Sequence, residues 1–228
     1  MVEKMFFDIE TIGRDFESLD AKTQEYLLRF AEDEAAIEKE KASMGLWPLT
    51  GEIIAVSLYS SDQKKGIVYY RNESPNNTKK DILLEGEWSF TPVKDEKELL
   101  KKFWAAVKQT KQIISFNGRV FDAPFILVRS AVNKLKPTIN LMPTRYNEFH
   151  LDLMEQLTFY GAVKRRFSLE MWCKTLGIEN PKKDVEGTMV NGLFKEQKYF
   201  EIANYCKGDT VATFSLYTIW KEYMNKEA

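Results

Sequence analysis

Four carboxylates and one phenol are the side chains here whose types and spacing could do chemistry. The first pair lies in Phe6-Phe7-Asp8-Ile9-Glu10-Thr11. In a strand, side chains alternate between faces, so Asp8 and Glu10 project together while Phe7 and Ile9 enter the opposite layer. Two like charges on one face repel, and an uncompensated charge at the edge of a core is costly. A divalent cation removes both problems, because hard ions such as Mg²⁺ take oxygen ligands and often bind through one or two carboxylates plus a substrate phosphate. The plainer reading is a surface strand with two solvated acids.

Two further patterns follow along the chain. Asp122 closes Phe116-Asn117-Gly118-Arg119-Val120-Phe121-Asp122, just beyond a short apolar strand. A helix N-cap explains an Asp there without catalysis. Tyr205 and Asp209 bracket Tyr205-Cys206-Lys207-Gly208-Asp209. On a helix, positions i and i+4 share a face, so a phenol and a carboxylate would stand side by side. Any helix offers such pairs by chance.

The elements that must position these groups are readable in outline. Lys4–Ile9 is an apolar opening strand. Ser18–Met44 is charged and helix-forming, with a loose apolar stripe of Tyr26, Leu27, Phe30, Ala31 and Ile37, and reads as one amphipathic helix. Trp47–Gly51 ends it with breaker residues. Strands are expected over Glu52–Ser60 and Gly66–Arg71, joined by a hairpin loop, then a polar loop over Asn72–Gly86. Asp95 and Glu98 form a reciprocal cap for a helix with an apolar face of Leu99, Leu100, Phe103, Trp104 and Val107. Gln112–Phe116 is a strand, residues 121–134 a helix and Leu151–Leu157 a further strand. Ser168 caps a short helix that Gly177 ends. Helix covers Lys195–Asn225, with a break expected at Gly208. Strands first, then strands alternating with helices, predict an α/β domain with a mixed sheet.

At 228 residues, with 44% apolar and 29% charged side chains, the chain suits one globular domain with a full core. No apolar run has the length of a bilayer-spanning helix. Acidic residues stand early and no long apolar stretch opens the chain, so no secretory signal is expected. A catalytic Asp8 would leave no room for cleavage near it. The expected location is cytoplasmic, where Cys173 and Cys206 are half-buried thiols rather than a disulfide framework. Net charge is −1, which does not favour a nucleic-acid enzyme, but its distribution does. Residues 123–147 carry no acid and hold Arg129, Lys134, Lys136 and Arg145. Extending to Phe167 adds Lys164, Arg165 and Arg166 against Glu148, Asp152 and Glu155, which leaves that segment at +4 and the rest at −5. The segment fits a phosphate-binding surface or a solvated face.

Taken together and in this order, the three motifs resemble those of the DEDD (DnaQ-like) 3′–5′ exonucleases, in the subgroup with tyrosine in the third motif. The likeness is to predicted exonucleases related to the proofreading domain of family B DNA polymerases. Gly51–Ser57, His150–Met154 and Ser168–Gly177 extend the similarity over nearly the whole chain. It implies a ribonuclease H-like α/β fold, a mixed central sheet flanked by helices, as one exonuclease domain over 1–228 with a helical insertion at about 16–47.

It also implies a mechanism. Asp8, Glu10, Asp122 and Asp209 would hold two divalent cations, Mg²⁺ or Mn²⁺, with Asp8 between them. Tyr205 would orient the attacking water, since an unperturbed phenol titrates near pH ~10 and is a poor base at neutrality. The substrate would be nucleic acid with a free 3′ end, entering as a single frayed strand, in replication, repair or recycling. Its contacts would be Thr11, Asn117 and Phe121 near the end, Phe125 as a further stacking ring, and Arg119, Lys164, Arg165 and Arg166 on phosphates. DNA is the leading substrate. An exoribonuclease, a binding module that has lost catalysis, and a Mg²⁺-dependent phosphohydrolase of small nucleotides remain open. His150, beside Asp152, is expected to form a structural hydrogen-bonding pair with it.

Overall fold

The structure is a computed structural model and describes residues 2–73, 83–179 and 190–225. Its centre is a seven-stranded sheet in the order β4-β5-β3-β2-β1-β6-β7. The strands are β1 (Val2–Gly13), β2 (Gly51–Ser60), β3 (Lys65–Arg71), β4 (Leu83–Glu85), β5 (Trp88–Val93), β6 (Thr110–Ser115) and β7 (His150–Asp152). β1, β2 and β3 run antiparallel in sequence, while β6 joins β1, and β7 joins β6, in parallel. The sheet is therefore mixed, and helices flank it: an α/β fold of the ribonuclease H-like exonuclease type.

Alternation along β1 builds both layers. Met5, Phe7 and Ile9 enter the core under α3 (Glu96–Val107) and α4 (Asp122–Val132). Phe6 enters the other core, under α8 (Tyr199–Tyr223), with its ring 5.2 Å from Phe214 and 5.3 Å from Tyr217. Asp8 and Glu10 share Phe6's parity and so lie toward α8. A register shift after Glu10 marks a β-bulge against β2, the irregularity that often re-aims a side chain beside a functional site.

Several elements differ from expectation, each for a local reason. Ser18–Met44 is not one helix. It forms α1 (Ala21–Leu28) and α2 (Glu34–Ser43), flanked by single 3₁₀ turns. The Asp20 and Asp33 carboxylates each cap a new start, accepting from Thr23 N at 3.1 Å and Ala36 N at 2.8 Å. Over Leu151–Leu157 the strand stops at Asp152. That carboxylate accepts Met154 N at 2.9 Å and starts α5 (Leu153–Leu157). α8 runs unbroken through Gly208, which is buried within it; tertiary packing outweighs the ~1 kcal/mol propensity cost of a helical glycine. β5 gave no strand signal because it contains Pro92, which cannot donate to a ladder. Among the described residues, β4 pairs with Trp88–Phe90. The expected loop over Asn72–Gly86 lies partly outside the described residues, and its last part is β4. α6 (Leu169–Thr175) starts on the Ser168 hydroxyl, which accepts from Met171 N at 3.2 Å, and Gly177 follows at φ +66°. α7 (Val190–Lys195) precedes α8. No described helix is long and apolar enough to cross a membrane.

Candidate active site

A cleft of about 390 Å³ opens between β1, the β6–α4 turn, the loop leading into α6, and α8. Asp8, Glu10, Asp122, Tyr205 and Asp209 all line it. Three segments far apart in the chain thus deliver their acids to one place. Strand alternation presents Asp8 and Glu10, and helical spacing presents Tyr205 and Asp209 together.

Asp122 is not the N-cap of α4; Phe121 holds that position and makes no side-chain cap. Instead the Asp122 carboxylate reaches β1 and accepts the Ile9 N–H at 3.1 Å. The parallel pairing of β1 with β6 ends at Phe6, and the carboxylate takes over beyond it. Burial pushes the Asp122 carboxyl up to about 7, and the charges of Asp152 and Asp209 push the same way. Such crowding of like charge is what a bound cation relieves. The donors are carboxylate oxygens, the set preferred by Mg²⁺ and Mn²⁺. The acidic cluster therefore fits a divalent metal.

Among the described residues, metal-competent atoms of Asp8, Glu10 and Cys206 all lie within 4.8 Å of one another. Cys206 was expected to be an ordinary half-buried thiol. It is fully buried, one helical step from Tyr205, with Sγ 3.5 Å from the Asp8 carbonyl and 3.7 Å from its Oδ2. Burial first, then the surrounding carboxylates, hold its pKa well above the ordinary thiol value. It is therefore a neutral S–H donor to Asp8. Its neighbour in sequence, Tyr205, was the only signal for that placement.

The turn before α4 is set by Asp152. One of its oxygens accepts Asn117 N at 2.8 Å and the other Arg119 N at 2.9 Å. Asn117 adopts φ +62°, a conformation asparagine tolerates better than most residues. A Cβ on Gly118 would stand 2.3 Å from Ser115 Oγ, so only glycine fits. Asp152 is structural, as expected, but its partner is not His150. His150 Nδ1 bonds the Leu141 carbonyl at 2.7 Å, and Nε2 meets Ser115 Oγ at 2.8 Å. A carbonyl can only accept, so Nδ1 carries the proton and Nε2 accepts from the serine.

The residues expected to touch substrate divide. Asn117, Phe121 and Arg166 line the cleft, with Arg166 Nη1 donating to Asn117 Oδ1 at 3.1 Å. Lys164 and Arg165 are exposed on the same loop, and Arg165 lies over the Phe167 ring at 4.8 Å. Thr11 and Arg119 are not among the lining residues. The Thr11 hydroxyl donates to Gly45 O at 2.7 Å, at the base of the α1–α2 segment. The Arg119 guanidinium is turned inward, with Nη2 on Pro143 O at 2.7 Å and Nε 3.6 Å from Glu155. Phe125 is core, its ring 5.5 Å from Phe121. Arg129 leaves the basic surface too. It is buried and paired with Glu96 at 2.7 Å. Phe167, Ser168 and Leu169 also line the cleft, although the sequence offers Ser168 and Leu169 only as the start of a capped helix within a stretch of family resemblance.

The profile of a family described as a predicted 3′–5′ exonuclease related to the exonuclease domain of PolB matches residues 53–226. That span includes Asp122, Tyr205 and Asp209, and Asp8 and Glu10 precede it. DNA polymerase 1 of Sulfurisphaera ohwakuensis is 32% identical over 126 residues, which cover 52% of this chain and 14% of the polymerase. An uncharacterised protein of Methanocaldococcus jannaschii is 31% identical over 137 residues, covering 55% of this chain and 75% of that protein.

Proposed function

We propose, from the premise that the chain belongs to the family of predicted 3′–5′ exonucleases related to the exonuclease domain of PolB, that it removes nucleotides one at a time from the 3′ end of single-stranded DNA. In this reading 1–228 is one exonuclease domain, residues 16–47 are a helical insertion in it, and the enzyme works in the cytoplasm. The observation that carries the proposal is the meeting of Asp8, Glu10, Asp122, Tyr205 and Asp209 in one cleft.

Asp8, Glu10, Asp122 and Asp209 would hold two divalent cations, Mg²⁺ or Mn²⁺. When bound, such ions neutralise the phosphate and make a coordinated water acidic enough to attack at neutral pH. The chain's own groups do the rest. Tyr205 orients the water through its hydroxyl, and the Cys206 S–H steadies Asp8 through its carbonyl and Oδ2. Asn117 and Phe121 hold the terminal nucleotide, and Arg166, with Lys164 and Arg165 beside it, neutralises phosphates of the incoming strand. Asp152 fixes the turn that carries Asn117.

The test is a gel assay with 5′-labelled DNA and RNA of matched sequence, comparing the wild type with Asp209→Ala in Mg²⁺, Mn²⁺ or EDTA. A metal-dependent ladder shortening from the 3′ end, absent in the variant, is the expected result, with DNA the faster polymer. Faster cleavage of RNA reassigns the substrate. No cleavage of either polymer by folded protein removes the catalytic reading.

A further inference from the structure

A second cavity, of about 450 Å³, lies on the other side of α5 from the catalytic cleft. Met154 faces the cleft, whereas Glu155 and Gln156 line the cavity. Its walls carry the rings of Tyr146 and Tyr160, 5.1 Å apart and tilted by 58°, and the carboxamides of Gln112, Asn147 and Gln156. Arg145 stands 5.7 Å over the Tyr160 ring and is fixed by Glu155 at 3.0 Å. Tyr146 is 75% exposed, so its ring is no part of either core. Phe159 and Tyr160 both take left-handed backbone conformations, φ +49° and +54°, which cost free energy in non-glycine residues and cluster at functional sites. The Gln156 amide donates to the Tyr160 hydroxyl at 2.8 Å and holds that ring in place.

One loop joins the cavity to the cleft. Tyr160 lies at the cavity, and Arg166, Phe167 and Ser168 lie in the cleft. Lys164, Arg165 and Arg166 are consecutive bases in it, and no acid occurs from Gln156 to Leu169. Six residue steps from Tyr160 to Arg166 span at most about 20 Å, the reach of a few nucleotides. Aromatic faces beside a positive backbone track are how single strands are held without sequence preference. Carboxamides add donors and acceptors that suit the edges of unpaired bases.

We propose that this cavity is a second nucleobase subsite, taking a base of the same single strand a few nucleotides upstream of the 3′ end in the cleft. The strand's phosphates lie along Lys164–Arg166, and the base stacks against Tyr146 and Tyr160. The inference rests on the exonuclease reading for the direction of the strand. Its consequence is a preference for longer substrates, because a trinucleotide cannot fill both places.

The experiment compares a trinucleotide with a dodecanucleotide, using the wild type, Tyr146→Ala, and Tyr146→Ala combined with Tyr160→Asn; asparagine accepts the left-handed backbone at 160. Loss of a stack should raise the dodecanucleotide KM about five-fold or more while the trinucleotide KM changes little. An unchanged dodecanucleotide KM, or an equal rise for both lengths, overturns the subsite. Fluorescence anisotropy of the labelled dodecanucleotide in EDTA reads the same contrast without cleavage. Weaker binding by the double variant upholds the subsite even where the wild type cuts nothing, which would count against the exonuclease reading alone. Equal binding overturns it.

Discussion

The Asp122 carboxylate accepts the backbone N–H of Ile9 at 3.1 Å and so ties the first turn of α4 to the strand that carries Asp8 and Glu10. That side chain is a hydrogen-bond acceptor for the fold and, in the proposed function, also a charge for the cation site, and substitution separates the two. Asp122→Asn keeps an acceptor and removes the charge. Its unfolding free energy from urea melts should stay within about 1 kcal/mol of wild type while cleavage falls at least about a hundredfold. Asp122→Ala orphans a buried N–H and should cost a further ~1–3 kcal/mol. Equal stability for the two variants would remove the structural duty.

Tyr205 and Asp209 line the same wall of the cleft, one helical turn apart. Their proposed roles differ in kind. Asp209→Ala removes a charge proposed to hold the cation site and should take cleavage to background. Tyr205→Phe removes only the hydroxyl proposed to orient water and should lower kcat by about a hundredfold with KM little changed. Single-turnover rates for the two would distinguish the roles, and matching rates would remove the one given to tyrosine.

A cation that binds the native carboxylates and not the unfolded chain stabilises the fold by mass action. At a hundred times its dissociation constant the gain is about 2.7 kcal/mol. Thermal melts in EDTA and in Mg²⁺ or Mn²⁺ should therefore differ by several degrees for the wild type. They should coincide for Asp8→Asn, because Asp8 belongs to that cluster of metal-competent atoms. This check needs no substrate and no turnover.

How far the sequence foretold all this depends on the range of the forces involved. Strand alternation at Asp8 and Glu10, and the i,i+4 step from Tyr205 to Asp209, are local geometry, and both pairs face one cleft. That the sheet is mixed followed from the pattern of elements; its strand order did not. What could not be read were side chains whose partners come from elsewhere in the chain. Arg129 looked like surface charge until Glu96, 33 positions earlier, buried it. Arg119 looked like a phosphate contact until Pro143 and Glu155 drew it inward. The pattern pairs His150 with Asp152, two positions on, whereas its partners are Ser115 and Leu141. The Asp caps that divide α1 from α2 were legible in principle, but the apolar stripe running through them masked the break.

The two arginines nearest the site should respond in opposite ways. Arg166 is exposed at the cleft mouth, where its Nη1 donates to Asn117 Oδ1. Arg166→Ala should raise KM several-fold, leave the urea midpoint unchanged and flatten the salt dependence of binding by about one phosphate contact. Arg119 is buried against Pro143 and Glu155, so Arg119→Ala should cost on the order of 2–4 kcal/mol by leaving Glu155 less well matched. Titrations of oligonucleotide binding at several salt concentrations, with denaturant melts on the same samples, separate these outcomes.

The one histidine gives the fold an acid sensitivity of definite sign. Burial lowers the His150 pKa from 6.5 to about 4, and the nearby charge of Arg119 acts in the same direction. The ring is neutral in the folded protein and gains its proton more readily unfolded, so the unfolded state binds more protons between about pH 6.5 and 4. Stability from this group is full above about 6.5 and is lost as the pH falls through that window, by about 3 kcal/mol in all. The Asp122 carboxyl, raised to about 7, acts with the opposite sign over an overlapping window, so the difference between wild type and variant isolates the histidine. As the pH falls from about 6.5 to 4, the wild type should lose more stability in urea melts than His150→Gln, or gain less, even though that variant is less stable at neutral pH for want of the bonds to Ser115 and Leu141. A slope unchanged by the substitution would remove the acid sensitivity assigned to His150.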